Sequence, residues 1–158
     1  RETAGVVLIS KCVESRGIYQ QMFATRQVQK TYHAIAAYHP DLKFPLITRL
    51  RMEKGQPFYT MHVLDGTPNS ETVIDLLEHN TEWAKYELKP HTGKQHQLRV
   101  HLNHLGIPIQ HDPFYPQVAH KAEDDFSAPL SLLAKHIQFV DPITQKSMNF
   151  SSHLELTL

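Results

Sequence analysis

Strand-forming segments dominate this sequence, and they are separated by turns and loops rather than by long helices. Residues 28–38 (VQKTYHAIAAY) alternate in polarity and are rich in β-forming side chains, which favours a strand. Residues 71–78 and 83–88 have the same character and are joined through residues 79–81, which predicts an antiparallel hairpin. We therefore predict an α+β fold with a mixed, mainly antiparallel sheet and flanking helices.

Shorter segments complete the predicted sheet. Residues 5–10 (GVVLIS) predict a buried strand, and residues 58–63 predict a short one. Two late strands are expected near residues 137–140 and 147–150. Residues 41–57 contain prolines at both 45 and 57 and predict a loop.

Two helices are expected. Residues 14–24 suit a helix whose inward face contains Ile18, Met22 and Phe23. A second helix follows the turn KPHTG, because leucines recur three or four residues apart, as a buried helical face requires. Thr92 is its expected N-cap and Gly106 its expected end. The residues assigned to the core are Val6, Leu8, Ile35, Leu98, Leu102 and Leu105.

Length and composition set the class of protein. A chain of 158 residues with 41% apolar residues suits one domain, which we assign to residues 1–158. No apolar run reaches the length of a membrane span, so no membrane partner is expected. The single cysteine, Cys12, excludes an internal disulfide framework and suits the cytoplasm.

The charge is distributed unevenly along the chain. Lysines and arginines balance acidic residues at 16 each, so the totals do not mark a nucleic-acid binder. Residues 1–60 nevertheless contain nine lysines and arginines against four acidic residues. A basic first third could bind phosphates, although chance unevenness among solvated charges also explains it.

The segment 91–115 (HTGKQHQLRVHLNHLGIPIQHDPFY) concentrates the chemistry. Lys94, His96, Gln97 and Arg99 crowd a turn and the start of the second helix, where backbone N–H groups favour anions. A partly buried Arg99 needs an anionic partner, because an unpaired buried charge is very costly. The partner is either a carboxylate of this domain or a substrate phosphate.

The histidines of this segment suggest a metallohydrolase as a competing hypothesis. His101 and His104 lie three residues apart, with His96 and His111 nearby. The sequence contains no HExxH spacing, no cysteine partner and no obvious third carboxylate ligand, so we predict no metal site. Motifs for a serine nucleophile, a P-loop or a dinucleotide are also absent, and no cofactor is expected.

Several motifs in order resemble one known family. Residues 92–115 (TGKQHQLRVHLNHLGIPIQHDPFY) resemble the signature TGRxHQIRVHLxxLGxPIxGDxxY of RluA-type pseudouridine synthases. Lys94 replaces the usual Arg, and His111 replaces the usual Gly. KTYHA at residues 30–34 is similar to the family's KxYxA strand, and RETAGVVL at residues 1–8 to the end of HRLDRxTSGxxL. LLAKHIQFVDPITQK at residues 132–146 is similar to LHAxxLxFxHPxTG, with Leu133 for His and Gln145 for Gly.

The resemblance implies a function and a fold. It implies the C-terminal portion of a pseudouridine synthase catalytic domain, which isomerises uridine to pseudouridine in ribosomal or transfer RNA, as a monomer without cofactor. The family's catalytic Asp directly precedes the position of Arg1, so it is not among these residues, and this chain alone is expected to be inactive. The alternative is a non-catalytic RNA-binding protein with the same fold.

The resemblance also implies roles for single residues. Arg99 matches the arginine that pairs with the catalytic Asp, and Tyr32 matches the tyrosine that stacks near the target uracil. Asp112 is implied to be structural. The candidate RNA-binding residues are Arg1, Thr3, Lys30, Lys94, His96 and Gln97.

Overall fold

The sheet and two helices account for most of the chain. The computed structural model describes residues 3–119, 125 and 127–158. The helices are α1 (Val13–Ala24) and α2 (Gln97–His104). The strands are β1 (Ala4–Gly5), β2 (Gln29–Ala37), β3 (Leu46–Lys54), β4 (Met61–Leu64), β5 (Ser70–His79), β6 (Trp83–Pro90), β7 (Leu132–Val140) and β8 (Ser147–Ser151).

The strands form one sheet in the order β1-β7-β2-β6-β5-β3-β4, with β8 also paired to β7. The β1–β7 pair is parallel, and every other pair is antiparallel. β5 and β6 form the expected antiparallel hairpin. The predicted α+β class with a mixed, mainly antiparallel sheet is therefore confirmed.

The core lies between α2 and one face of the sheet. Along β6 the buried residues alternate with half-exposed or exposed ones, so Tyr86 and Leu88 point into the core. Leu98 and Leu102 of α2 pack against them in the same hydrophobic cluster. The core assignment of Leu98 and Leu102 is therefore confirmed, whereas Leu105, also predicted for the core, is only partly buried.

The core prediction for the remaining residues has mixed outcomes. Ile35 of β2 is buried, as expected. Val6 is half-buried and packs against a small cluster around Ile137. Leu8 is exposed, so its assignment to the core is wrong.

The prediction of a buried strand at residues 5–10 is wrong beyond Gly5. Val7 is 73% exposed, and only Ala4 and Gly5 pair with β7. A parallel continuation would bring Val7 to the edge of His136, which is already paired with Ser151 of β8. The segment has strand propensity but lacks a free sheet edge at that point.

The predicted loop at residues 41–57 is also wrong, because it contains the nine-residue strand β3. Thr48, Leu50 and Met52 are buried on one face of this strand. The first half of β3 pairs with β5 and the second half with β4. The two prolines lie outside the strand, so they bracket its pairing rather than interrupt it.

The two helices differ from the predictions in detail. In α1 Met22 is buried as expected, but Ile18 and Phe23 are exposed, because the helix contacts the rest of the protein along a narrow strip. The N-cap of α2 is His96, so the N-cap prediction for Thr92 is wrong. Gly106 follows the helix with φ +76°, as a helix-terminating glycine does. No helix in the described ranges is long and apolar enough to cross a membrane.

Gly5 is expected to be essential for the pairing of β1 with β7. Its φ is +104°, and a Cβ there would lie 2.2 Å from the Ala134 carbonyl oxygen. We expect Gly5→Ala to break this contact, at a cost of roughly 1–3 kcal/mol. Because the Val6 N–H donates to the same oxygen at 3.0 Å, its hydrogen exchange should accelerate.

Gly17→Ala is the matched control for this prediction. A Cβ at Gly17, inside α1, would meet no atom within 4 Å, so alanine should raise stability by about 0.5–1 kcal/mol. Unchanged exchange at Val6 in Gly5→Ala would contradict the assigned role of Gly5.

Candidate active site

An open cleft of about 820 Å³ lies where β2, the end of α1 and the start of α2 meet. It brings together seven residues that were selected from the sequence: Thr3, Lys30, Tyr32, Lys94, His96, Gln97 and Arg99. Arg1 lies outside the described residues. The seven come from three separate stretches of the chain, so their common location is a property of the tertiary structure.

Arg99 forms a buried ion pair with Asp112. Its Nε donates to Oδ2 at 2.8 Å and its Nη2 to Oδ1 at 2.5 Å. The side chains are only 11% and 1% exposed, respectively. The sequence left the partner of Arg99 open between a carboxylate of this domain and a substrate phosphate. In the structure the partner is the carboxylate of Asp112. A guanidinium has five N–H donors, and this pair uses two, so three remain for a further anion.

Asp112 also organises the loop after α2. Its Oδ1 accepts the backbone N–H groups of Phe114 at 2.8 Å and Tyr115 at 3.1 Å. The guanidinium carbon of Arg99 lies 4.7 Å from the ring centre of Phe114 and 5.4 Å from that of Tyr115. Charge pairing, loop hydrogen bonds and cation–π contacts thus hold one orientation of Arg99 against the cleft wall.

The side chain of Gln97 is committed to the protein. Its Nε2 donates to the Glu71 carbonyl and to Thr72 Oγ1, both at 2.9 Å. Its Oε1 accepts from Thr92 Oγ1 at 2.6 Å and from the Lys94 N–H at 3.1 Å. Gln97 therefore ties the turn before α2 to β5, and its amide has no free group to offer a ligand.

His96 is held neutral beside the cleft. Burial, together with the nearby Arg99 charge, lowers the pKa of His96 to about 4. Its Nδ1 lies 3.0 Å from Tyr115 Oη, which already accepts the Met61 N–H. The tyrosine hydroxyl thus donates to Nδ1, which leaves the proton of the neutral ring on Nε2.

Lysine and arginine side chains without carboxylate partners line the cleft. The ion pairs among the described residues include neither Arg26, Lys30 nor Lys94. Burial lowers the pKa of Lys30, whose Nζ donates to the Thr92 carbonyl at 3.4 Å. No Asp or Glu in the described part of the chain lines the cleft. The cleft therefore favours an anionic ligand.

Tyr32 offers a half-buried ring and an unpaired hydroxyl. Within the described ranges no hydrogen bond to its Oη is formed, although the residue packs against the main hydrophobic cluster. Burial raises the pKa of Tyr32, so its hydroxyl remains protonated at neutral pH. The side chain can stack on a planar ligand and donate one hydrogen bond to it.

Among the residues of the cleft wall that sequence reasoning missed are Phe23 and Arg26. Phe23 was assigned to the inward face of α1, and Arg26 was counted only among the charges of the first third. A partial signal was present, because Val28, Lys30 and Tyr32 line the cleft at the two-residue period of an extended chain, and Arg26 lies two residues before Val28.

His101 of α2 is fully buried. Its Nε2 lies 2.9 Å from Ser70 Oγ, which itself donates to the Leu50 carbonyl at 2.7 Å. The ring therefore donates to Ser70, whereas His104 on the same helix is exposed. Across the described ranges, no three His, Cys, Asp or Glu side chains are grouped so that they could hold a metal ion.

Stability is expected to fall as the pH decreases from about 6.5 towards 4. Burial lowers the pKa of His101 from 6.5 to about 4, so between these values the unfolded chain binds a proton that the folded protein does not. The contribution is complete above pH 6.5 and amounts to at most roughly 3 kcal/mol. His96, which is less buried, adds to it in the same direction.

Urea unfolding between pH 4 and 7 measures this effect. We expect His101→Gln to be less stable at pH 7 and to lose less stability on acidification than the wild type. His153→Gln, at an exposed position near the C-terminal end, is the control and should keep the wild-type pH dependence. An equal pH dependence in His101→Gln and wild type would contradict the prediction.

Comparison with known proteins identifies the relatives of this chain. The family model for RNA pseudouridylate synthase matches residues 1–104. Ribosomal large subunit pseudouridine synthase C of Vibrio cholerae is 30% identical over 163 residues, which cover 100% of this chain and 50% of that protein. The dual-specificity RNA pseudouridine synthase RluA of Pasteurella multocida is 30% identical over 164 residues, covering 95% of this chain and 68% of that protein.

A solved structure has the same fold. The human RNA pseudouridylate synthase domain containing 1 superimposes with a TM-score of 0.72 at 22% identity, over 94% of this chain and 68% of that one. The chain spans half the length of the Vibrio cholerae relative.

Proposed function

The chain belongs to the RNA pseudouridylate synthase family, and on this basis we propose that it contributes the cleft in which uridine in RNA is isomerised to pseudouridine. The observation that carries this proposal is the meeting of Thr3, Tyr32 and Arg99 in one cation-lined cleft. By the motif resemblance, Thr3 corresponds to the family's nucleophile loop, Tyr32 to the strand that carries its tyrosine, and Arg99 to the helix that carries its arginine.

The proposed reaction is an isomerisation without net redox change. The bond between uracil N1 and ribose C1′ breaks, the base turns, and a bond forms between C5 and C1′. C5 loses its proton, and N1, which carries no hydrogen in uridine, gains one in the product, so atoms and charge balance. The cleft must therefore hold the detached uracil close to the ribose while the base turns.

The nucleophile is proposed to be the Asp that the family signature places directly before Arg1. Thr3, which follows that position, lines the cleft with Tyr32 and Arg99. The three unused N–H groups of Arg99 can pair with this second carboxylate while Asp112 holds the guanidinium in place. Such pairing would keep the catalytic carboxylate ionised.

Tyr32 is proposed to stack on the target uracil. A base must leave its helix to reach a protein cleft, at a cost of a few kcal/mol, and stacking on an aromatic ring returns roughly 1–3 kcal/mol. Because the hydroxyl stays protonated, it can hydrogen-bond the base and assist proton movement at C5.

RNA is the proposed partner, because Lys30 and Lys94 form no ion pair with a carboxylate among the described residues and can bind phosphates. Thr3 and His96 line the same cleft and remain candidate contacts, as does Arg1 from the family resemblance. Relatives carry names for ribosomal large subunit and tRNA enzymes, so both RNA classes are candidate substrates. We further propose a monomer that acts in the cytoplasm.

The proposal is tested by mapping pseudouridines in cells that lack the gene and in cells that express its complete product. Loss of specific pseudouridines, restored by the complete product, is the expected result. A polypeptide of these 158 residues alone is expected to restore none, because the proposed nucleophile is not among them. RNA binding without any pseudouridine formation by the complete product would instead identify a non-catalytic binding protein.

A further inference from the structure

The C-terminal end of α1 forms one wall of the cleft and presents an aromatic ring there. Phe23 is 39% exposed, whereas the neighbouring Met22 is buried in the cluster around Ile137. It lines both the main cleft and a neighbouring cavity of about 400 Å³, and both cavities are also lined by Lys30 and Tyr32. An exposed phenyl ring thus lies beside the proposed uracil-binding tyrosine.

Arg26 adds a cation at the same place, in a backbone conformation that disfavours it. Its φ is +60°, and its N–H donates to the Phe23 carbonyl at 3.2 Å while the Gln27 N–H donates to the Met22 carbonyl at 3.1 Å. This arrangement ends a helix and normally uses glycine, which has no Cβ to strain. Backbone geometry alone therefore does not explain an arginine at this position.

Arg26 precedes a series of cleft residues that continues into β2. From Arg26 every second residue lines the cleft, so Arg26, Val28, Lys30 and Tyr32 form a row of cation, apolar, cation and aromatic groups. Neither cation forms an ion pair with a described residue. This wall of the cleft therefore carries two cations, Arg26 and Lys30, and two aromatic rings, Phe23 and Tyr32. Cations that bind phosphates and rings that stack on bases are the two kinds of group that bind a single nucleic-acid strand.

We propose that the end of α1 binds the RNA nucleotide next to the target uridine, with Phe23 stacking on its base and Arg26 binding its phosphate. This inference rests on the proposed function, because it takes Tyr32 as the site of the target base. Stacking on Phe23 suits any base, since every base has a π face, so this contact would support binding without reading sequence. Arg26 would contribute through charge and would be sensitive to salt.

Arg26→Gly tests the phosphate contact without damaging the fold, because glycine suits a φ of +60°. In the complete gene product, binding to a labelled RNA stem–loop with uridine in its loop should weaken. The slope of log affinity against log salt should fall by about 0.7–0.9, the value for one lost phosphate contact. The urea midpoint should stay the same or rise.

Gln145→Gly is the matched control, because Gln145 has a φ of +58° in a turn outside the cleft. It should leave the affinity and the salt slope unchanged. Phe23→Leu should weaken binding about tenfold with an unchanged salt slope, whereas Phe23→Tyr should retain wild-type affinity.

The outcomes separate this inference from the function on which it rests. If the wild type binds the RNA and the salt slope of Arg26→Gly is unchanged, the inference is overturned and the proposed function stands. A lowered urea midpoint with unchanged RNA binding would assign Arg26 to stabilising the end of α1, which also overturns it. Failure of the wild-type complete product to bind RNA would overturn both.

Discussion

Arg99→Ala is expected to lower the free energy of unfolding by about 3–5 kcal/mol. The replacement leaves the Asp112 carboxylate, whose side chain is 1% exposed, without its cation. It also removes the cation–π contacts with Phe114 and Tyr115. Urea unfolding at pH 7 measures the loss, and the complete gene product should in addition lose nearly all turnover, because Arg99 is the proposed partner of the catalytic carboxylate.

Arg49→Ala is the matched control for the stability effect. Arg49 also pairs with a carboxylate, that of Glu71, but its side chain is 58% exposed. Its loss should cost no more than about 1 kcal/mol. Combining Arg99→Leu with Asp112→Asn should recover part of the loss, because the buried charge is removed and Asn can still accept the loop N–H groups. Equal effects of the two alanine variants would show that the pair with Asp112 is not buried in solution.

Tyr32→Phe in the complete gene product is expected to lower turnover by at least about 100-fold, the lower range for a group that moves a proton. RNA affinity should change by less than about threefold, because the phenyl ring still stacks on the base. Tyr32→Leu removes the ring as well and should weaken RNA binding about tenfold further. Single-turnover rates and equilibrium binding, measured on the same RNA, separate the two effects.

Tyr38→Phe is the control for the loss of a tyrosine hydroxyl. Tyr38 directly follows β2 and stacks on His79 with ring centres 4.0 Å apart, and it does not line the cleft. Its replacement should leave turnover and RNA affinity unchanged. Wild-type turnover in Tyr32→Phe would show that the hydroxyl takes no part in the reaction and that Tyr32 acts only by stacking. Wild-type RNA affinity in Tyr32→Leu would show that Tyr32 does not contact the base.

Local sequence patterns were sufficient to predict the elements whose formation depends on residues close together in the sequence. The two-residue alternation of residues 28–38 correctly predicted β2, and the leucine spacing correctly predicted α2 and its buried face. The hairpin of β5 and β6 was equally readable, because its two strands are adjacent in the sequence. The motifs also led to the family, which the comparisons show.

Prediction failed where an element depends on a distant partner. β3 was missed because Thr48 and Met52 are weak indicators of a buried face, and because its first half pairs with β5, which lies beyond β4 in the sequence. Residues 6–10 have strand propensity, but β8, from the far end of the chain, occupies the edge they would need. Propensity describes a segment, whereas pairing depends on which edge is still free.

The candidate site divides in the same way. The sequence by itself determined the residue types, namely a tyrosine in a strand and cations before a helix, and the order in which the family uses them. Only the tertiary structure decided that Asp112 is the partner of Arg99, that the amide of Gln97 is consumed by the protein, and that Phe23 faces the cleft. Such assignments depend on distances between residues remote in sequence, and these distances are set by sheet register and packing.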